Sequence, residues 1–279
     1  MKFLFFGDII GKTGRRAIAS VLPSLKKKHK IDLVIANAEN IAHGIGVTVK
    51  TLGSLIESGV DFFTSGNHVF RKPNEVDELF RTFAGKIIRP MNFEGEYAGS
   101  GYESIEVKGK QVYIANFIGQ VFMENQFSGL ISSPFKALDD FLQSRKESDI
   151  IIVDFHSEAT SEKRGFGFYA DGRVSAVLGT HTHVQTADAQ ILPGGTAYIS
   201  DTGMVGAANT VLGVSRDRAL ELFLGKKSKI ENMVESNEVE VGYVVVEIDE
   251  QTGKAKSIKS FYDKTKISQS GESLTRRSA

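Results

Sequence analysis

Short apolar segments alternate with amphipathic segments along this chain, and this alternation constrains the fold more than any other feature. The apolar segments are rich in strand-forming residues and end in turns; they cover residues 2–6, 33–36, 62–64, 87–89, 150–155, 175–178 and 197–200. Apolar residues at spacings of three and four predict helices over residues 15–30, 47–58, 74–83 and 134–146. The alternation predicts an α/β protein, with a mainly parallel central sheet and helices on both faces.

Two pairs of strand-like segments flank short turns, which predicts antiparallel hairpins beside the parallel core. They are residues 102–107 with 111–116, and 239–249 with 255–262. Thr13, Thr48 and Ser133 lie near predicted helix starts and are predicted caps. Without repeats or a linker of low complexity, residues 1–263 are expected to form a single domain. The polar, serine-rich residues 264–279 are predicted to be a flexible tail.

The composition limits the classes of partner. The chain has 34 basic and 34 acidic side chains, so its net charge is zero, whereas proteins that hold long nucleic acids usually carry a basic excess. It has no cysteine, so any metal must be bound by nitrogen and oxygen ligands. The apolar run within residues 1–6 is too short for a signal sequence or a membrane span. We expect a cytoplasmic protein that binds neither membranes nor long nucleic acids stably and that could be a homo-oligomer.

Polar residues with metal-binding chemistry stand where the predicted strands end. They are Asp8, Glu39 with Asn40, Asn67 with His68, His156, and His181 with His183. In an open α/β sheet the loops at the carboxyl ends of the strands converge, and ligands bind there. Singly, each residue also has an ordinary explanation as a cap, a turn residue, a solvated loop residue or a hydrogen-bonded histidine. Together they predict a metal site.

The roles of three other residues near these strand ends can each be explained in two ways. His43 follows Glu39 in a glycine-bearing loop and could support the site or have no role in it. Lys163 and Arg164 follow His156 and could hold a phosphate, although a solvated basic pair is at least as plausible.

The motifs formed by these residues resemble those of the calcineurin-like metallophosphoesterase superfamily. They read Gly7-Asp8, Gly66-Asn67-His68, an isolated His156, and Gly179-Thr180-His181-Thr182-His183. Two departures are similar to the YmdB-type subgroup: Ile10 stands where the superfamily has a histidine, and Asn37-Ala38-Glu39-Asn40 replaces the usual second aspartate motif. The resemblance implies a metallophosphoesterase-type βαβ sandwich. It extends at least to Gly203-Met204 and is weaker around residues 205–209.

The resemblance also implies an activity and a ligand set. The subgroup hydrolyses 2′,3′-cyclic nucleotides to nucleoside 3′-phosphates, by attack of a hydroxide that bridges two metal ions. Asp8, Asn40 and His183 would bind one metal; Asn67, His156 and His181 would bind the other; Glu39 would bridge them. His68 would donate a proton to the leaving oxygen, which suits the ordinary pKa of imidazole. The resemblance implies that the metal is iron, or else manganese or magnesium. Because the ligand set contains nitrogen, it fits magnesium least well.

Two alternatives remain open at the level of sequence. The same metal core serves other phosphomonoesters, phosphodiesters and RNA, because specificity in such enzymes is set by loops. The chain could also be a metal-bound regulatory or scaffold protein.

Overall fold

The computed structural model describes residues 1–123, 129–226 and 233–268. Its strands are Lys2–Ile9 (β1), Leu33–Asn37 (β2), Phe62–Thr64 (β3), Phe93–Glu94 (β4), Tyr102–Val107 (β5), Lys110–Ile118 (β6), Leu130–Ile131 (β7), Ile150–His156 (β8), Ala176–Thr180 (β9), Gln190–Ile191 (β10), Ala197–Ile199 (β11), Met204–Ala207 (β12), Glu238–Ile248 (β13) and Ala255–Lys266 (β14). Its helices are Gly11–His29 (α1), Val49–Glu57 (α2), Val76–Thr82 (α3), Pro134–Leu142 (α4), Thr160–Ala170 (α5) and Arg216–Phe223 (α6).

The strands form two six-stranded mixed sheets and one short two-stranded sheet. The first sheet has the order β14-β13-β12-β1-β2-β3, the second has the order β10-β11-β9-β8-β6-β5, and β4 pairs with β7. In the first sheet β12, β1, β2 and β3 are parallel, and β13 and β14 are antiparallel additions. In the second, β11, β9, β8 and β6 are parallel between antiparallel edge strands.

Three apolar cores hold these layers together. One lies between the two sheets, one lies between the first sheet and helices α1 to α3, and one lies between the second sheet and helices α4 and α5. Strand β1 shows why its sequence is apolar throughout: Phe3 and Phe5 face the core between the sheets, whereas Leu4 and Phe6 face the helices. A strand covered on both faces needs apolar residues at odd and even positions alike.

The α/β sandwich predicted from the sequence is confirmed, but the strands are divided between two sheets. Among the described residues each sheet therefore has helices on only one face, and the other sheet covers the second face. The two predicted hairpins are present as β5–β6 and β13–β14. In the part of the chain that is described, no helix has the length and apolar character needed to cross a membrane.

Several local predictions are wrong. Residues 87–89 form no strand, because Ile88 N–H donates to Phe63 and Arg89 N–H to Ser100; Ile87 makes only an isolated bridge. Thr13 lies inside α1, whose N-cap is Ile10, whereas Thr48 and Ser133 do cap their helices. Helices α5 and α6 were not predicted. Strand β14 continues to Lys266, past the expected boundary at residue 263, and residues 269–279 of the predicted tail lie outside the described chain.

The core between the sheets should account for a large part of the stability. Phe5 is 1% exposed there, so Phe5→Ala removes a buried ring and should lower the free energy of unfolding by about 3–5 kcal/mol. Phe223→Ala is the matched control, because Phe223 is 77% exposed at the end of α6 and should change the free energy by about 0.5 kcal/mol or less. Denaturant unfolding followed by circular dichroism measures both, and equal losses would contradict this assignment of the core.

Candidate metal centre

The residues at the strand ends lie together where the two sheets meet. Asp8 is near the end of β1, and the pairs Glu39-Asn40 and Asn67-His68 follow the neighbouring strands β2 and β3. In the second sheet, His156 ends β8, and the turn that carries His181 and His183 follows β9. The predicted metal ligands and His68, carried by five strand ends, are thereby brought together.

One group of side chains is centred on His156. The Nε2 atom of His156 lies 2.9 Å from Asn67 Oδ1, 3.0 Å from His181 Nδ1 and 3.3 Å from Glu39 Oε2. Glu39, His156 and His181 each offer an atom, and these atoms lie within 4.8 Å of one another. Three potential acceptor atoms surround His156 Nε2, but this nitrogen holds at most one hydrogen. The group therefore contains more electron pairs than hydrogens that could be donated to them. This donor set fits a metal cation.

A second group is formed by Asp8, Asn40 and His183. His183 Nε2 lies 3.5 Å from Asp8 Oδ1 and 3.3 Å from Asn40 Nδ2. The Asn40 amide oxygen lies 2.7 Å from His68 Nδ1, so a half-turn of the amide would exchange its nitrogen and oxygen within the group. His183 Nδ1 is buried and has no hydrogen-bond partner in the described residues.

Glu39 connects the two groups. Its Oε2 faces His156, whereas its Oε1 accepts a hydrogen bond from Asn40 Nδ2 at 3.1 Å. The carboxylate is completely buried, and the backbone N–H of His68 donates to it at 3.1 Å. Burial alone would raise the pKa of Glu39, but His156 and His68 outweigh burial and hold the pKa well below its ordinary value.

The backbone is shaped to fit these side chains. A Cβ atom on residue 66 would lie 2.2 Å from Glu39 Oε2 and 2.3 Å from His156 Nε2, so only glycine fits there. His181 and His183 have φ angles of 99° and 65°, in the region that residues other than glycine rarely occupy. Asn67–Phe70 form a turn directly after β3 and Ser65-Gly66.

The two imidazoles of the first group differ in their protonation. Burial disfavours a charge on both rings, but Glu39 outweighs burial at His156 and raises its pKa to about 9. At His181, burial and the neighbouring His156 both act against protonation and lower the pKa to about 3. Near neutral pH the His181 ring is therefore neutral, with one nitrogen electron pair free, whereas the His156 ring has to release a proton before it can bind a metal.

Residues 4–261 match the family model described as YmdB-like protein. The chain belongs to the YmdB-like family. A Bacillus subtilis relative named 2′,3′-cyclic-nucleotide 2′-phosphodiesterase is 40% identical over 259 residues, which cover 92% of this chain and 95% of that protein.

Solved structures have the same fold. A phosphatase from Mycoplasma pneumoniae superposes with a TM-score of 0.87 at 33% identity, covering 95% of this chain and 94% of that chain. A 5′-nucleotidase from Candida albicans, with a TM-score of 0.58 at 13% identity, shares the fold; the match covers 94% of this chain and 51% of that chain.

The YmdB-like site is supported by polar residues that sequence reasoning missed. His156 Nδ1 lies 2.8 Å from Thr180 Oγ1, and Thr180 Oγ1 donates to Asp154 Oδ1 at 2.6 Å. Burial raises the pKa of Asp154 to about 6, although hydrogen bonds from Thr180, Thr64 and Asn37 oppose this effect. On the other side, Glu158 Oε2 lies 3.0 Å from His181 Nε2, so a carboxylate fixes that ring. A signal for Asp154 was present, since it interrupts an otherwise apolar strand.

Lys163 is fully buried in the interior and does not face a phosphate site. Its ammonium group donates to Asp201 Oδ2 at 2.6 Å and to the carbonyl of Thr180 at 2.8 Å. Asp201 Oδ2 also accepts from the backbone and side chain of Thr182, between the two histidines. The ion pair therefore holds the turn that carries His181 and His183, and neither sequence interpretation of Lys163 was right.

Arg164 and His43 lie outside this network. Arg164 pairs with Asp188 at 3.6 Å and stacks near Phe168 and Tyr198, with 39% of its side chain exposed. His43 is exposed in the loop that follows Glu39.

The Lys163–Asp201 pair should be essential for stability. Lys163→Met leaves the buried Asp201 carboxylate without its cation, and the free energy of unfolding should fall by about 3–5 kcal/mol. Arg164→Met, one residue further on, removes a half-exposed pair and should cost about 1 kcal/mol or less. Urea unfolding of the two variants measures both free energies. A Lys163→Met protein as stable as the wild type would show that the pair does not anchor this turn.

Proposed function

We propose that this chain is a binuclear metal-dependent phosphodiesterase that hydrolyses 2′,3′-cyclic nucleotides to nucleoside 3′-phosphates. The observation that carries the proposal is Glu39, whose two carboxylate oxygens face two separate groups of potential ligands. Asp8, Asn40 and His183 would hold one metal, Asn67, His156 and His181 the other, and Glu39 would bridge them. The activity named for the Bacillus subtilis relative supports the choice of substrate.

The bound metals would neutralise the phosphate oxygens and make a water molecule acidic enough to attack phosphorus near neutral pH. The protein's own part is to fix the ligands: Thr180 and Asp154 orient the ring of His156, and Glu158 orients the ring of His181. The Lys163–Asp201 pair holds the turn between the two histidines. These contacts set the ligand geometry before a substrate arrives.

His68 is the residue best suited to donate a proton. Its Nδ1 lies 2.7 Å from Asn40 Oδ1 and 3.2 Å from Glu39 Oε1, so Nε2 remains to face the substrate. Its side chain is 25% exposed, compared with 14% for His183 and 0% for His156. When the bond between phosphorus and O2′ breaks, a proton from Nε2 would convert the leaving O2′ to a hydroxyl group.

The proposal extends to the metals, partners and location of the protein. Iron or manganese suits the three histidines of the ligand set better than magnesium, which favours oxygen ligands and water. The neutral net charge favours a small nucleotide over a long nucleic acid. A chain without cysteine is compatible with the cytoplasm, and a homo-oligomer is left open.

A substrate panel coupled to metal analysis tests this function. Freshly purified protein should contain about two transition-metal ions per chain. It should hydrolyse 2′,3′-cyclic AMP in preference to 3′,5′-cyclic AMP, a nucleoside monophosphate and a short RNA, and the product should be the 3′-phosphate. A preference for another member of the panel would overturn the substrate assignment. An inactive protein with full metal occupancy would favour the regulatory or scaffold alternative.

Substitutions should separate metal binding from proton transfer. Glu39→Gln removes the bridging charge, so both metal content and activity should fall. His68→Ala should keep its metals but lower kcat about 10²- to 10⁴-fold, because only the proton donor is lost. Metal analysis and steady-state kinetics measure both effects.

His43→Ala is the matched control for His68→Ala, since His43 is an exposed histidine in the same region. It should keep both metal content and kcat. Loss of metal from the His68→Ala protein would mean that His68 is a ligand and not the proton donor.

A further inference from the structure

A cavity of about 560 Å³ opens directly beside His183. Its wall also includes Val184, Leu212, Glu240, Tyr262 and Lys264. The volume lies within the range of small-molecule sites in proteins. Because His183 belongs both to the ligand group of Asp8 and to this wall, the cavity begins at the candidate metal centre.

The cavity presents apolar surface that the fold leaves exposed. Val184 is 62% exposed, Leu212 is 41% exposed and Tyr262 is 45% exposed. Tyr262 lies on the edge strand β14, and its hydroxyl donates to Glu240 Oε2 at 2.5 Å. Lys264 Nζ lies 5.7 Å from the centre of the same ring. An aromatic ring bordered by a carboxylate and an ammonium group can contact a flat heterocycle and also pair with its polar edge.

Another part of the cavity wall, the loop after β12, has an unusual backbone. Asn209 and Leu212 have φ angles of 59° and 52°, and both line the cavity, as does His183 with a φ angle of 65°. A positive φ is costly for leucine, and such conformations cluster at sites that clamp ligands. The backbone and the exposed apolar surface thus independently indicate a ligand site.

We propose that this cavity binds the base of the cyclic nucleotide, with Tyr262 as the principal aromatic contact; this inference rests on the proposed function. In a 2′,3′-cyclic nucleotide the phosphate is attached to C2′ and C3′ of the ribose and the base to C1′. A phosphate at the metal centre therefore places the base one sugar away, and the cavity beside His183 is next to that centre. Tyr262 acts on substrate binding and takes no part in bond cleavage.

Paired substrates with and without a base test the subsite. Tyr262→Ala in the metal-loaded protein should lower kcat/KM for 2′,3′-cyclic AMP about tenfold, mainly through KM. It should leave kcat/KM unchanged for methyl riboside 2′,3′-cyclic phosphate, which has the same reacting group and no base. Tyr262→Phe keeps the ring and should restore most of the loss. Binding of 3′-AMP, measured by calorimetry, should weaken in parallel for Tyr262→Ala.

Tyr102→Ala is the matched control, because Tyr102 is 40% exposed on β5, the edge strand of the other sheet. It should behave as the wild type on both substrates. An equal loss on both substrates, or no loss on either, in the Tyr262→Ala protein would overturn the subsite while the proposed function stands. Failure of the wild-type protein to hydrolyse either substrate would instead contradict the proposed function, and the subsite with it.

Discussion

The buried carboxylate of Glu39 is the constraint on which the rest of this structure depends. It lies where the two sheets meet, its side chain is 1% exposed, and it contacts His156 from the second sheet and Asn40 and His68 from the first. A buried carboxylate is costly unless it is paired and hydrogen-bonded, so its partners must be held in place by the fold. Both sheets therefore have to end at the same edge, with their polar residues turned toward one point.

The packing around this point follows from the same requirement. The apolar core between the sheets fixes their relative position. The hydroxyl of Thr180 donates to Asp154 and contacts His156 Nδ1, which fixes the His156 ring. In the turn after β9, His181 and His183 have positive φ angles, a conformation that the turn would not adopt alone. The Lys163–Asp201 pair keeps the turn in that conformation. Rigid support at a distance from the reacting atoms is what a preorganised site requires.

Much of this arrangement could be predicted from the sequence, because strand ends and ligand types are local signals. The apolar runs before Asp8, Glu39 and His156 located both the strands and the candidate ligands. Pairing between distant strands is not a local signal, so the division into two sheets was not predicted. Local sequence patterns also gave wrong predictions where contacts with distant residues decide the structure. Ile88 and Arg89, predicted in one strand, donate to different segments. Thr13, predicted as a cap, lies inside α1, and its hydroxyl donates to the carbonyl of Val234.

The supporting residues escaped prediction for a related reason. Lys163 follows a histidine loop and resembles a solvated cation in sequence, yet its partner Asp201 is 38 residues away. The helix that carries Lys163 contains Gly165 and Gly167, which lower helix propensity; a Cβ on residue 167 would lie 2.3 Å from Tyr198, so close packing explains that glycine.

The candidate metal centre and the cavity beside it differ in how readily their residues can be replaced. The candidate ligands are fixed by strand ends and buried partners, so few other residues could replace them. The cavity is lined by exposed residues of a loop and an edge strand, such as Leu212 and Tyr262, whose replacement disturbs little of the core. The proposed phosphate chemistry and the proposed base subsite depend on parts of the fold that differ in burial, so substitutions in one part should leave the other unchanged.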